Sequence, residues 1–238
     1  MTPLDRWRLE KAAADCGFEM TAVPHADGLE LRSARFPETV LVRVTGEKSF
    51  EVSASDTAIL DLSAGGGALE VEGYGELYAV LRTTAAHART KPNRVADEFK
   101  KKTAAMPRTT EAERLAIQRV GQGQFRSALL DYWQGKCCVT GLDLQELLRA
   151  SHIRPWAKCE TDEQRLDVFN GLLLAPNLDA LFDAGLMTVE DSGAVRLAGD
   201  ITVERRARMG LTEGMLVQNL RAEHRAYLKF HRSEVWRG

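Results

Sequence analysis

Residues 148–153 read LRASHI and residues 170–183 read NGLLLAPNLDALFD, and these two stretches decide the fold of the second half of the chain. The first predicts a β-strand that delivers His152 and ends before Pro155, because proline lacks the N–H that a strand ladder needs. After a polar loop, NGLLL predicts a second strand. NLDALFD then predicts a helix that Asn177 caps. The pattern therefore indicates two strands followed by a short helix.

Two further blocks flank this pattern. RVGQGQFRSALLDYWQGKCCVTGL precedes it at residues 119–142, and AYLKFHRSEVW follows it at residues 226–236. In this order the four blocks closely resemble the HNH endonuclease domain of many bacterial restriction-type proteins, over about residues 108–238. The resemblance implies a ββα-metal fold, in which a hairpin and a short helix hold one divalent cation. The expected fold class is α+β, with a small N-terminal α+β domain before a C-terminal HNH domain.

Aligned with that family, His152, Asn170 and Asp179 take the three motif positions. Singly, they are typical of a polar histidine, a turn or cap residue and an acid at a helix start. Only their joint order and spacing indicate catalysis. The resemblance implies that His152 is a general base, a role for which a pKa near neutrality is suited. It also implies that Asn170 fixes the histidine-bearing loop through side-chain hydrogen bonds.

The third motif position usually holds histidine, so Asp179 is a departure from the family. A carboxylate suits a hard cation such as Mg²⁺ or Mn²⁺, which prefers oxygen ligands and keeps several waters. Asp183 lies four residues later on the same helix face and is a second candidate ligand. Ser151 stands where related domains often carry a metal-binding Asp, and it is a weaker ligand. We expect one divalent ion per site, and products with 5′-phosphate and 3′-hydroxyl ends.

Structural zinc is not expected. Many HNH domains carry two CxxC pairs, whereas here Gly141 follows Cys138 at that spacing, and Ala175 and Leu178 take the places of the other pair. A site with four thiolates cannot form from these residues. We expect packing to hold the two segments together, with the four cysteines reduced.

Lysine and arginine residues around the motif are candidates for phosphate contacts, which do not depend on base sequence. Two of them flank the expected base, and two lie in RVGQGQFR, where a structural salt bridge is an equal alternative. RVGQGQFR lacks the Lys-Ser/Thr ending of a P-loop, so it does not predict a nucleotide site. The candidates are Arg154, Lys158, Arg119, Arg126, Lys100, Lys101 and Lys102.

Aromatic and histidine side chains outside the motif are expected to serve packing. Trp156 is interpreted as an anchor for the loop after His152, with base stacking as the alternative. His224 and His231 share a helical stripe with apolar residues and are expected in the core.

The first part of the chain predicts a separate α+β domain at residues 1–95. Thr2, Pro3 and Gly17 delimit a helix over about Pro3 to Cys16. Alternating residues then predict antiparallel strands, with Phe18, Met20 and Ala22 on one face. SAGGGALEVEGYG, residues 63–75, interrupts the pattern before a second helix. A basic linker is expected at residues 96–110, followed by the HNH domain at residues 111–238.

Bulk composition excludes some classes of protein. The 238 residues carry a net charge of -2, so nucleic-acid contacts must come from local patches. No apolar run reaches the length needed to span a membrane, and the opening MTPLDRWRLEKAAADCGF lacks the layout of a signal peptide. We expect a cytoplasmic protein without a membrane partner.

Two functions from different classes remain open at this point. The leading hypothesis is a restriction or host-defence endonuclease acting on double-stranded DNA, in which residues 1–95 read the target and a modified base is one candidate signal. The alternative is a catalytically weak HNH-like fold that serves as a DNA-binding or partner-binding module. Ser151 and Asp179 are the features that support the alternative. Cutting both strands usually calls for two active sites, which makes a homodimer a further hypothesis.

Overall fold

A computed structural model describes residues 1–60 and 67–238 of the chain. They form two compact units, Met1–Lys91 and Pro92–Gly238. Both units contain helices and antiparallel strands, so the α+β class expected from the sequence is confirmed. None of the helices in these two described ranges has the length and apolarity of a membrane-spanning segment.

The first unit is an antiparallel sheet of five strands in sequential order, with two helices packed against it. Its core includes Leu9 and Leu81 from the helices and Val42 and Val52 from the sheet, all almost completely buried. The elements are α1 (Pro3–Cys16), β1 (Met20–Pro24), β2 (Gly28–Arg32), β3 (Val40–Val44), β4 (Ser49–Ala54), β5 (Ala68–Glu72) and α2 (Gly73–Arg89).

Helix α1 has the bounds that the sequence predicts. Thr2 and Asp5 cap each other reciprocally at its start, and Gly17 ends it with φ = +100°, a conformation that glycine adopts without strain. Met20 does not share the buried face of Ala22, because the pairing of β1 with β2 is irregular between Met20 and Val23. The capping residues thus predict the bounds of α1 correctly. The irregular pairing in β1 changes which of its side chains are buried.

The stretch at residues 63–75, which the sequence predicts to interrupt the strand pattern, contains a strand. Residues 68–72 pair with β4 as strand β5, and Val71 packs into the core. Residues 63–66 of the same stretch lie outside the described residues. The glycines around this short strand obscured it in the sequence. Strand propensity is a weak signal by itself, since it depends on cross-strand neighbours that the sequence does not show.

The second unit carries two small hairpins surrounded by helices. A single cluster of buried apolar side chains runs through it, from Phe99 and Phe125 to Phe182 and Leu228. The elements are α3 (Arg94–Thr103), α4 (Glu111–Tyr132), β6 (Arg149–His152), α5 (Asp162–Leu166), β7 (Gly171–Leu174), α6 (Pro176–Asp183), β8 (Met187–Val189), β9 (Val195–Leu197), α7 (Val203–Arg208) and α8 (His224–Glu234).

The sequence predicts a linker at residues 96–110, but the structure has helix α3 over most of this segment. Its Val95, Ala96 and Phe99 are buried against the core of the second unit, and α3 packs on α4 and α5. The boundary between the units therefore falls between Lys91 and Pro92. The lysines obscured this helix in the sequence because they lie on its solvated side, opposite a narrow apolar stripe.

RVGQGQFR lies wholly within helix α4, so it forms no phosphate-binding loop. Gly121 in this helix permits a close approach, since a Cβ atom there would lie 2.8 Å from the ring of Trp156 and 3.3 Å from that of Phe99. Trp156 thus packs between α4 and the loop after β6, as the packing interpretation predicts.

Candidate active site

His152 is the last residue of β6, opposite Gly171 of β7 in the antiparallel pair. A Cβ atom on Gly171 would lie 2.6 Å from Phe125 and 2.7 Å from Leu129, so only glycine lets this hairpin lie against α4. The imidazole of His152 stacks on the ring of Phe125 at a centroid distance of 3.8 Å and an angle of 17°. Trp156 contacts the same imidazole edge-on at 5.5 Å. The imidazole of His152 is therefore packed against two aromatic rings.

The protonation of His152 is set by its backbone partner. Its Nε2 atom lies 2.8 Å from the carbonyl oxygen of Arg165. A carbonyl only accepts hydrogen bonds, so Nε2 carries the proton and Nδ1 holds the free lone pair. Burial lowers the pKa of His152 to about 4, against the opposing effect of the Arg165 carbonyl. This pKa is lower than the near-neutral value that suits a general base, and Nδ1 is unprotonated at neutral pH.

Asn170 is completely buried between the hairpin and the loop that follows His152. Its Oδ1 accepts from the N–H of Arg154 at 2.7 Å. Its Nδ2 donates to the carbonyl oxygens of Gln164 at 2.9 Å and Arg154 at 3.3 Å, and to Sγ of Cys159 at 3.4 Å. One amide thus joins three points of the loop on which the Arg165 carbonyl lies. These bonds are of the kind that the family resemblance implies for Asn170.

Asp179 lies in the first turn of α6, and its Oδ1 accepts a hydrogen bond from the hydroxyl of Ser151. Ser151 is almost fully buried and precedes His152 in β6. The bond therefore ties the acid on the helix to the strand that carries the histidine. Asn177 does not cap α6 as expected. The N-cap position is Ala175, and the Asn177 amide donates to the carbonyl oxygen of Met209.

Asp183 ends α6 on its exposed side. Partial burial, and then the charge of Asp179, raise the pKa of Asp183. The two carboxylates are thus close enough to repel each other, as the i, i+4 spacing predicts. A cation between them would relieve this repulsion.

Whether a divalent ion can bind here depends on the chemistry of the Asp179 and Asp183 carboxylates. Within residues 1–60 and 67–238, no group of three or more His, Cys, Asp or Glu side chains forms a complete ligand set. Mg²⁺ and Mn²⁺ do not need one, because they are commonly bound by one or two carboxylates together with waters and substrate phosphates. Asp179 and Asp183 fit that mode of binding. Ser151 serves to orient Asp179 by its hydrogen bond.

The predicted phosphate contacts divide into two groups. Arg126 donates to the carbonyl oxygens of Leu148 and Gln145, which secures the segment before β6. Arg154 donates to the Lys158 carbonyl and pairs with Glu160, and its guanidinium lies 4.7 Å from the ring of Phe230. Their guanidinium groups are therefore engaged within the fold.

The remaining candidates are exposed. Lys100 pairs with Glu163 of α5, next to the loop that holds His152. An exposed pair of this kind contributes little stability, so the lysine is available to a phosphate. The other exposed candidates are Arg119, Lys158, Lys101 and Lys102.

Cys137 lies beside Ala175, the N-cap position of α6. Its Sγ accepts hydrogen bonds from the N–H groups of Thr140 at 3.4 Å and Ala175 at 3.3 Å. Leu178 is buried in the apolar core beside them. Hydrogen bonds to a thiol and apolar packing thus join the segments here.

Two contributors to the site were missed in the sequence. Phe125 is the stacking partner of His152, and its only signal was its place on the buried stripe of α4 with Gly121 and Leu129. Arg165 contributes through its carbonyl oxygen, which every residue type possesses. No sequence pattern could therefore identify it.

A hairpin that carries histidine and asparagine is followed by a short helix that carries aspartate, which is the arrangement that the family resemblance implies. Residues 137–190 match the model of the HNH endonuclease family, and the match includes all four motif and metal candidates. This segment of the second unit is thus similar to the HNH endonuclease family, which indicates nuclease activity and a nucleic-acid substrate. None of the curated proteins matches the chain.

Proposed function

We propose that the protein is a metal-dependent DNA endonuclease of the restriction or host-defence type, which hydrolyses double-stranded DNA to 5′-phosphate and 3′-hydroxyl ends. The observation that supports this most directly is the state of His152. Its Nε2 is bound by the Arg165 carbonyl, its Nδ1 is unprotonated, and its strand is tied through Ser151 to Asp179. This arrangement suits a general base beside a phosphate-binding acid centre.

In the proposed reaction, Nδ1 of His152 takes a proton from a water molecule. The water oxygen attacks phosphorus, the bond from phosphorus to the 3′ oxygen breaks, and that oxygen leaves with a proton from solvent. A divalent ion held by Asp179 and Asp183 would neutralise charge on the phosphoryl and leaving oxygens. Asn170 keeps the Arg165 carbonyl in place, so the imidazole cannot rotate away from its working orientation.

The first unit is proposed to read the DNA target. Residues 1–91 contain ten Lys and Arg against fourteen Asp and Glu, so net charge does not attract this unit to phosphate. We propose that it contacts bases and that a modified base is the signal. Exposed lysines such as Lys101 and Lys158 in the second unit would supply the phosphate contacts instead.

The alternative is a catalytically weak HNH-like module that binds DNA or a protein partner. Ser151 favours it, since a serine hydroxyl is a poorer metal ligand than the carboxylate often found at that position. A cleavage assay on the whole chain tests this alternative.

We also propose a homodimer, because cutting both strands of a duplex usually calls for two active sites. The mass of the whole protein in solution tests it.

The test is cleavage of unmodified and cytosine-modified plasmid DNA with Mg²⁺, Mn²⁺ or EDTA. We expect metal-dependent cutting by the wild type, its loss in His152→Ala, and unchanged cutting by His25→Ala, which alters an exposed histidine of the first unit. DNA affinity, measured in EDTA, should persist in His152→Ala. Binding without cutting by the wild type would support the alternative module.

A further inference from the structure

Helix α8 lies beyond the segment that matches the HNH family, yet one of its faces contacts both halves of the catalytic centre. Tyr227 and His231 are four residues apart and therefore share a side of the helix. Between them, Leu228 is completely buried in the core of the second unit. The helix is thus firmly seated.

Tyr227 contacts the half that carries Asn170. Its hydroxyl donates to Oδ2 of Asp167 at 2.9 Å, and Oδ1 of Asp167 accepts from the N–H of Phe169 at 3.0 Å. This second bond caps the single 3₁₀ turn Val168–Asn170. Asp167 therefore transmits the position of α8 to the turn from which Asn170 holds the His152 loop.

His231 contacts the half that carries the acids. Its ring stacks on Phe182 of α6 at 3.9 Å and 9°, and its Nε2 lies 3.2 Å from the Phe182 carbonyl. Its Nδ1 is 3.0 Å from the hydroxyl of Thr188 in β8. Because the carbonyl must accept, Nε2 carries the proton and Nδ1 accepts from Thr188. Phe182 directly precedes Asp183, so His231 fixes the end of the helix that bears both carboxylates.

We propose that α8 is a positioning helix, in which Tyr227 and His231 together fix the Asn170 turn and the Asp179 helix relative to each other. This inference rests on the proposed nuclease function. Hydrolysis requires the base and the acid centre to be correctly placed to within a fraction of an ångström, and supporting contacts supply that accuracy. Neither residue touches the reacting atoms, so both act through the residues that they hold.

The test removes one hydroxyl. Tyr227→Phe keeps the ring and breaks only the bond to Asp167. Tyr78→Phe is the matched control, because the Tyr78 hydroxyl donates to Asp15 at 3.0 Å within the first unit. We expect kcat of Tyr227→Phe to fall between about tenfold and a hundredfold. KM and the DNA affinity in EDTA should stay at wild-type values, and Tyr78→Phe should cut normally.

A double-mutant cycle with Asp167→Ala checks that the two residues act as a pair. We expect Tyr227→Phe to add little to the loss of kcat in Asp167→Ala, since the alanine already removes the carboxylate that accepts from the Tyr227 hydroxyl. Additive losses would overturn the pathway through Asp167.

Hydrogen exchange gives a readout that does not need activity. In Tyr227→Phe, backbone amides of residues 150–170 should exchange faster than in wild type, whereas Tyr78→Phe should leave them unchanged. Unchanged exchange in Tyr227→Phe overturns the positioning role, whatever the cleavage result. A wild type that cuts no DNA would instead overturn the proposed function, while the exchange data still decide the role of α8.

Discussion

The imidazole of His152 lies nearly parallel to the ring of Phe125, with centroids 3.8 Å apart. Phe125 belongs to α4, outside the segment that matches the HNH family. Its ring keeps water from one face of the imidazole, and this desolvation disfavours the charged form. A residue that touches no phosphate thus helps to set the basicity of the proposed catalytic base.

This contact predicts the pH dependence of cleavage. Burial lowers the pKa of His152 to about 4, so the base loses its proton as pH rises through that value. We expect the acid limb of kcat/KM to lie well below pH 6.5. Phe125→Leu admits water and should move the limb upward, toward the ordinary histidine value of about 6.5. Phe36→Leu, which alters a ring pair of the first unit, should leave the limb in place. An unmoved limb in Phe125→Leu would exclude this origin of the low pKa.

Asn170 is predicted to stabilise the loop rather than to bind metal. Asn170→Ala leaves the partly buried Arg154 N–H and Gln164 carbonyl without the amide partner, at a cost of up to about 1–3 kcal/mol each in the free energy of unfolding. We expect a large loss of kcat with Mn²⁺ affinity retained, measured by calorimetric titration. The control Asn177→Ala removes one exposed hydrogen bond and should cost little. Weakened Mn²⁺ binding in Asn170→Ala would assign this residue to the metal site instead.

Ser151 is predicted to orient Asp179 for the metal. Ser151→Ala removes the hydroxyl that donates to Oδ1, so the carboxylate can rotate. Loss of such a supporting contact typically lowers metal affinity about tenfold or more. Mn²⁺ titration of Ser151→Ala should show this decrease, and Ser127→Ala, on the exposed side of α4, should not. Equal affinities would mean that Asp179 is held by its helix alone.

Gly171 and Gly123 are predicted to respond oppositely to the same substitution. Gly171→Ala places a Cβ atom 2.6 Å from Phe125, and such overpacking costs about 1–3 kcal/mol. A Cβ atom on Gly123 of α4 meets nothing within 4 Å, and alanine there should stabilise the helix by about 0.5–1 kcal/mol. Chemical denaturation measures both. A neutral Gly171→Ala would show that α4 shifts freely from the hairpin.

Acid stability is predicted from three histidines of the second unit. Burial lowers the pKa of His152, His224 and His231 to about 4. Because the unfolded value is about 6.5, the unfolded state binds more protons between these two values. Stability is therefore full above about pH 6.5, falls as pH drops toward 4 by a few kcal/mol, and then levels off.

The check is chemical denaturation between pH 4 and 7. His224→Gln, which has no titrating ring, should flatten part of the acid decline, and His25→Gln should not. His224 lies among the rings of Tyr132, Trp133 and Phe169, so this variant should also be less stable at pH 7. A slope equal to that of wild type would assign the acid decline to other groups.

Several elements were readable from the sequence because their signals are local. Thr2 and Gly17 mark the ends of α1, alternation marks β2 to β4, and the hairpin and helix of the site follow from apolar periods of two and about four residues. The three motif positions could be named because their order along the chain is itself the signal. A cap, a turn and a periodic face involve neighbours in sequence, so no tertiary information is required.

Long-range packing decided the rest. Helix α3 replaced the expected linker because Phe99 finds its apolar partners in α4, and Arg126 became structural because the carbonyls of Gln145 and Leu148 come within its reach. The proton on His152 and its low pKa depend on Arg165 and Phe125, which lie 13 and 27 residues away. Desolvation and hydrogen bonding to backbone carbonyls depend on what the folded chain places around a group. The sequence alone therefore named the motif residues of the site, and only the tertiary structure decided which other residues surround them and the charge, orientation and support of each.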